Sequence, residues 1–176
     1  GAFASKNIVF KFKNNNSESI HRQMAAGLES IEPSTIVYLA EHDVLYPPIY
    51  FGYTPKDGTL LKNVNLWFMN GCGFFGPFGT WIHSQTIGPA GLLLMCANEN
   101  VESTRKFKTR NGYGIESFSS EHPSIDVRHG HNYTGYRNLR NGEYVQSLPF
   151  WGDYSDLVRQ IPGFDPGKLA MKYHAA

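Results

Sequence analysis

The chain has 176 residues, of which 41% are hydrophobic and 18% are charged, and its formal net charge is +1. This length accommodates one domain, residues 1–176, with a real hydrophobic core, and the composition excludes a disordered or fibrous protein. The nearly balanced charge excludes a bulk electrostatic attraction to polyanions, so any basic surface has to come from local clustering.

Cysteine usage and hydropathy indicate the compartment. Cys72 and Cys96 are the only cysteines of the chain, and their spacing predicts neither a zinc site nor a disulfide framework. No apolar run approaches the roughly 20 residues needed to span a bilayer, and the N-terminus lacks the pattern of a signal peptide. We therefore expect a soluble, cytoplasmic protein without a membrane span.

The beginning of the chain predicts a strand, a helix and a second strand. Residues 7–13 alternate apolar and basic side chains, as in a half-exposed strand. Ser17 or Ser19 caps a helix that ends before Pro33 and whose apolar residues fall at helical spacing: Ile20, Met24, Leu28 and Ile31. Residues 35–40, "TIVYLA", are apolar without alternation, which predicts a buried central strand of a parallel sheet.

The middle of the chain contains a third predicted strand at residues 63–70. Residues 71–81, "GCGFFGPFGTW", predict a glycine- and aromatic-rich loop that forms either a pocket wall or a tight connection. Residues 84–98 predict a helix that begins near Pro89. Residues 105–110, "RKFKTR", are either a solvated helix end or loop, or a basic patch that contacts a phosphate-rich acceptor.

An acid triplet, Glu41, His42 and Asp43, follows directly after the predicted strand 35–40. Because burying an unpaired carboxylate is costly, acids at a strand end usually have a metal ion or a donor group as partner. In an extended segment Glu41 and Asp43 face the same way, and such a pair suits Mg²⁺ or Mn²⁺, which prefer oxygen ligands. Ligands of open α/β sheets bind beyond the carboxyl ends of the strands, which favours a functional role for the triplet.

A second segment rich in chemistry, "SIDVRHGHNYTGYRN", covers residues 124–138. His129 and His131 flank a glycine, so both imidazoles can approach one point, and Asp126 can orient one of them through its second ring nitrogen. The alternative is a pair of surface histidines near a turn. A Ser-His-Asp hydrolase is disfavoured, because the chain has no Gly-x-Ser-x-Gly motif.

Four segments, in order "YLAEHDVLYPPIYF", "NVNLWFMN", "SIDVRHGHNYTG" and "LPFWGDYSDL", resemble a bacterial and phage group of GT-A-type glycosyltransferases akin to the large family-2 set. The resemblance covers roughly residues 20–162. It implies an α/β, GT-A-like (Rossmann-like) fold with a mixed sheet flanked by helices. It also implies a nucleoside-diphosphate sugar donor, which we expect to be a UDP-sugar, and a divalent cation, Mn²⁺ or Mg²⁺.

By this resemblance the acid triplet binds the donor. Asp43 matches the usual metal ligand, Glu41 matches the acid that contacts the ribose or the water shell of the metal, and His42 lies between them. His129 matches a later histidine that can complete the metal shell, and His131 is a further candidate ligand.

The acceptor of the predicted reaction is a glycan or modified hydroxymethylpyrimidine DNA. An inverting enzyme needs a base for the acceptor hydroxyl, for which Glu121 is the first candidate and Asp126 the reserve. The candidates for acceptor binding are one aromatic and three basic residues: Trp81, Arg105, Lys106 and Lys108.

The chain departs from the family pattern at its beginning. A complete GT-A domain starts with a strand-helix-strand unit that cradles the nucleotide, but only about 35 residues precede the predicted strand 35–40. We therefore expect part of the N-terminal nucleotide-binding half to be missing. The chain is then a fragment, a trimmed fold, or the partner of another chain or segment that completes the donor site.

Two other classes of protein remain open. A non-catalytic module that binds a glycan or a nucleic acid would use the aromatic loop and the basic segment, with salt-dependent binding in the second case. A metal-dependent phosphoesterase would use the same metal ligands, with water in place of the sugar acceptor.

Overall fold

The structure is a computed structural model that describes residues 17–69, 73–77, 83–102, 114–127 and 144–161. Within these ranges the chain has a mixed α/β fold in which helices flank the sheets. The helices are α1 (Ser17–Leu28), α2 (Ala90–Glu102) and α3 (Tyr154–Gln160). The strands are β1 (Ile36–Tyr38), β2 (Val44–Leu45), β3 (Thr59–Asn63), β4 (Leu66–Met69), β5 (Phe75–Pro77), β6 (Thr86–Pro89), β7 (Gly114–Phe118), β8 (Ser124–Val127), β9 (Ser147–Leu148) and β10 (Gly152–Asp153).

Both predicted helices are confirmed. Helix α1 ends at Leu28, before Pro33, and α2 begins directly after Pro89, because proline cannot donate to a preceding turn but is tolerated at a helix start. The buried stripe of α1 differs from the predicted one: His21, Ala25 and Leu28 are buried, whereas Ile20 is 50% exposed. Helix α1 packs against α2 through this stripe. The strand predicted for residues 7–13 and the basic segment 105–110 lie outside the described residues.

The prediction of a central, fully buried strand for residues 35–40 was wrong. Among the described strands the first sheet has the order β1-β6-β3-β7, so β1 lies at its end, and all three residues of β1 are only half-buried. Strands β6 and β3 occupy the central positions instead, and every residue of β3 is buried. An apolar run therefore fixed neither the burial of this strand nor its neighbours.

The second sheet, with the order β2-β8-β4-β5, combines both strand directions. Strand β8 runs parallel to β4 and antiparallel to β2, and β5 runs antiparallel to β4. Strand β4 confirms the strand predicted for residues 63–70. Strand β8 is buried along its whole length, and its Ile125 and Val127 join a core cluster with Met69, Phe75, Leu148, Tyr154 and Leu157.

The loop predicted for residues 71–81 is a strand in part. Phe75, Gly76 and Pro77 form β5, and Gly76 pairs with Phe68 of β4. A Cβ atom at residue 76 would lie 2.3 Å from the Phe68 ring, so glycine at this position lets the aromatic side chain lie across the neighbouring strand. Glycine therefore serves strand packing here and not a turn.

The described chain divides into two compact units. The first comprises residues 17–37, 54–61, 87–102 and 114–116, and the second comprises residues 38–53, 62–69, 73–77, 83–86, 117–127 and 144–161. A single domain over 1–176 stays a prediction. In the part of the chain that the structure describes, no helix has the length and apolar character needed to cross a membrane.

Candidate functional site

The acid triplet lies beyond the end of β1, within the second unit, but in a turn between β1 and β2 and not in the extended segment that the sequence predicted. Glu41 and His42 are exposed, and Asp43 is half-buried. The Val44 N–H donates to the Glu41 carbonyl at 3.4 Å, which closes the turn. A turn at this position presents two carboxylates to solvent without placing either of them in the core.

Tyr46 holds this turn in place. The Glu41 N–H donates to Tyr46 Oη at 3.1 Å, and the Tyr46 hydroxyl donates to the Ser84 carbonyl at 2.8 Å. The pKa of Tyr46 is raised to about 12, mainly by burial and to a smaller extent by the negative charges of Glu41 and Asp43, against two hydrogen bonds that lower it.

Tyr46→Phe tests this anchor. The substitution leaves the Glu41 N–H without its partner and removes one of the two donors to the Ser84 carbonyl, so we expect the free energy of unfolding at pH 7 to fall by about 1–2 kcal/mol. Between pH 10 and 12 the folded wild type keeps a Tyr46 proton that the unfolded chain has lost, so its stability falls as pH rises through this range. The variant should lack this part of the alkaline loss.

Urea denaturation at pH 7, 10 and 11.5 measures both effects. Tyr144→Phe, the same change at a half-exposed tyrosine of the second unit, serves as the control. An equal response of the two variants would show that Tyr46 does not anchor the turn.

The main chain of Asp43 joins the acid triplet to the end of β8. The Val127 N–H donates to the Asp43 carbonyl at 2.7 Å, and the β2–β8 register pairs Val44 with Asp126. In the sequence, His129 is two residues beyond Val127. The acid triplet is therefore hydrogen-bonded to the β8 part of the segment 124–138, although these residues are more than 80 positions apart in the sequence.

The two candidate bases have different environments. Asp126 is 4% exposed in the middle of β8, on the face opposite to the core residues Ile125 and Val127. Glu121 precedes β8, and its carboxylate is largely exposed at 3.8 Å from His122 Nε2. The Glu121 N–H donates to Tyr53 Oη at 3.2 Å, which fixes its backbone. Exposure favours Glu121 as the group that meets an acceptor.

A buried hydrogen-bond hub supports the segment before Glu121. Asn63, which is 3% exposed, donates to Gln85 Oε1 at 3.0 Å, and its own oxygen accepts the N–H groups of Asn65 and Ser120 at 3.0 and 3.1 Å. Gln85 in turn donates to the Ser84 carbonyl, the acceptor that Tyr46 uses. One continuous network thus connects the turn of Glu41 with the segment of Glu121.

Sequence reasoning missed Tyr46, Asn63, Ser84 and Gln85. A signal existed for Asn63, because "NVN" places two polar residues between apolar strands, where an unpaired amide would be costly. No comparable signal marks Ser84 and Gln85, since their partners are distant in the sequence.

The structure describes some of the residues that were predicted to bind the metal ion. Within the described ranges no group of three metal-binding side chains comes together, and the two carboxylates of the acid triplet are the predicted ligands that the structure describes. Their oxygen atoms suit Mg²⁺ or Mn²⁺. The remaining predicted residues, namely His129, His131, Trp81, Arg105, Lys106 and Lys108, lie outside the described residues.

The comparisons with known proteins give no relative: no protein-family model, no curated protein and no solved structure matches the chain.

Proposed function

We propose that the chain is a metal-dependent glycosyltransferase that transfers a sugar from a nucleoside-diphosphate sugar, a UDP-sugar, to an acceptor hydroxyl. The observation that carries this proposal is the position of Glu41 and Asp43 in one turn, where the Asp43 carbonyl accepts the Val127 N–H at the end of β8. The histidine-containing segment continues from that end in the sequence. Carboxylates combined with an imidazole form a donor set that Mn²⁺ accepts.

The arrangement suits the charge that develops in sugar transfer. As the bond between the anomeric carbon and the diphosphate breaks, the leaving diphosphate gains negative charge, which a divalent cation held by Glu41 and Asp43 would neutralise. The Tyr46 hydroxyl is protonated at neutral pH and joins the Glu41 N–H to the Ser84 carbonyl. These two hydrogen bonds fix the main chain of the turn that carries the carboxylates before a donor arrives.

Glu121 is the proposed base. The acceptor oxygen forms its bond to the anomeric carbon, the diphosphate leaves with the electron pair of the broken bond, and the acceptor proton passes to the Glu121 carboxylate. The backbone bonds to Tyr53 and, through Ser120, to the Asn63 hub fix the segment that carries this carboxylate. Exposure of the side chain leaves it open to an acceptor from solvent.

A thermal-shift experiment tests the proposal. Mn²⁺ together with UDP should raise the melting temperature of the wild type, by about 5–10 °C at a hundredfold excess over the dissociation constant. Mn²⁺ with GDP, ADP or dTDP establishes which base is preferred. The absence of a shift with every nucleoside diphosphate would reject the proposal. Turnover of UDP-sugars at an equal rate with and without any acceptor would favour the phosphoesterase instead.

A further inference from the structure

Phe150, at the tip of the β9–β10 hairpin, has an unusual backbone and an unusual exposure. Its φ is 72°, in the left-handed region, and its side chain is 54% exposed. That conformation is strained for a bulky residue, and it persists where the surroundings hold it. Phe150 thus combines a strained backbone with an exposed aromatic ring.

Two aromatic side chains of the described residues, His122 and Trp151, contact the ring. The His122 ring stacks on Phe150 at a centroid distance of 4.8 Å and an interplanar angle of 18°. The Trp151 ring meets it edge-on at 4.9 Å and 88°, and Trp151 is itself fixed because its indole N–H donates to the Pro123 carbonyl at 2.7 Å. One face of Phe150 is therefore covered, and the large exposed fraction leaves the rest of the ring open to a ligand.

Polar groups suited to hydroxyls are close to this ring along the chain. Glu121 precedes the stacking residue His122, and its carboxylate is 3.8 Å from His122 Nε2. Asp153 lies three residues after Phe150, so their Cα atoms are at most about 10 Å apart. Among the described residues, Asp153 lines a cavity of about 490 Å³ together with Gln146 and Ser155, as well as Gly73, Tyr154 and Val158.

Asp153 occupies the position before α3, but its carboxylate makes no capping hydrogen bond. A carboxylate, an amide and a hydroxyl around one cavity match the hydrogen-bonding groups of a sugar. The Phe150 ring is not among the described residues that line this cavity, but it is carried by the same hairpin as Asp153, and a flat aromatic ring matches the C–H face of a sugar.

The described charges favour the neutral one of the two acceptor classes that the sequence left open. The ionisable groups described around the hairpin are Glu121, His122, Asp153 and Asp156, and the neighbouring cation, Arg159, is paired with Asp156. Acidic groups repel phosphodiesters, whereas binding of nucleic acid depends on basic contacts to phosphate. A neutral sugar carries no such penalty.

We propose that Phe150, stacked on His122, is the platform that binds a neutral glycan acceptor, with Asp153 as a hydrogen-bonding group of the same subsite. The inference rests on the proposed glycosyltransferase, because it places the acceptor beside the candidate base Glu121. It names a residue that binds the acceptor, Phe150, and a substrate class for that reaction.

Calorimetric titration of the full chain with neutral oligosaccharides tests the platform without Mn²⁺ or UDP. The probes are maltopentaose, cellopentaose, mannopentaose and chitopentaose, with the single strand dT10 for comparison. We expect at least one oligosaccharide to bind, with a change in tryptophan fluorescence from Trp151, and dT10 not to bind. Phe150→Ala should weaken the binding at least tenfold, and Phe150→Trp should retain it.

Matched variants separate loss of the ring from loss of the fold. Asparagine tolerates a left-handed backbone, so Phe150→Asn removes the ring without the strain and should behave like Phe150→Ala. Phe51→Ala, at another aromatic of the second unit that is 48% exposed, should leave the affinity unchanged. Failure of every oligosaccharide to bind, wild-type affinity in both Phe150 variants, or tight dT10 binding that depends on Phe150 would each overturn the inference.

The outcome is separable from that of the proposed function. A melting shift with Mn²⁺ and UDP without glycan binding would leave the glycosyltransferase standing and reject the platform. Glycan binding through Phe150 without any nucleotide response would reject the enzyme and leave a glycan-binding protein.

Discussion

Asp43→Asn is expected to lower the rate of sugar transfer by about a thousandfold and to abolish the melting shift with Mn²⁺ and UDP. Asparagine keeps the size of the side chain and the backbone carbonyl that Val127 bonds, but it removes the anionic oxygen offered to the cation. Charge stabilisation by a metal is worth several kcal/mol, and about 4 kcal/mol corresponds to a factor of a thousand in rate.

Asp57→Asn provides the matched control. Asp57 is an exposed residue of the turn before β3, in the first unit, and asparagine before Gly58 suits a turn as well as aspartate does. Steady-state transfer assays and melting curves on the two variants then isolate the charge of Asp43. Wild-type activity in Asp43→Asn would refute the assignment of the acid triplet, whatever the fate of the control.

Asn63→Ala is expected to lower the free energy of unfolding by about 3 kcal/mol, with a fall in melting temperature of about 6–12 °C. The substitution orphans Gln85 Oε1 and the N–H groups of Asn65 and Ser120 within the buried network. Leaving buried donors and acceptors unpaired costs more than a typical hydrogen bond contributes, because each group has given up its contact with water.

The control for the hub is Asn98→Ala, the same change at an exposed position of α2. Alanine has the higher helix propensity, so this variant should be as stable as the wild type or slightly more stable. Urea denaturation followed by circular dichroism compares the two. A loss below 1 kcal/mol in Asn63→Ala would mean that water replaces the amide and that the network does not position Glu121.

The segment around the acid triplet shows which features could be predicted from neighbouring residues in the sequence. The apolar run before it predicted a strand that ends before the triplet, and that much is confirmed by β1. The same run suggested a central strand, and this was wrong because strand order depends on partners such as β6 that lie about 50 residues away. The hydropathy of a segment does not determine which strands lie next to it.

The candidate site divides in the same way. Glu41, Asp43 and Glu121 could be chosen from residue type and spacing, since carboxylates at strand ends are unusual enough to notice. Tyr46, Asn63 and Gln85 could not, because their role consists of hydrogen bonds to groups far along the chain. Phe150 was also missed, since neither its left-handed φ nor its exposure has a signature in the residue itself.

The amino-acid sequence by itself determined the helices α1 and α2, the strand β4, and the presence of two carboxylates beyond the end of a strand. These features depend on periodicity, proline and residue chemistry within a few positions. Only the tertiary structure decided that β1 lies at a sheet edge, that Asp43 bonds to the end of β8, and that Phe150 stacks on His122. Each of these is a contact between segments distant in the chain, and its energy depends on the packing of the whole sheet.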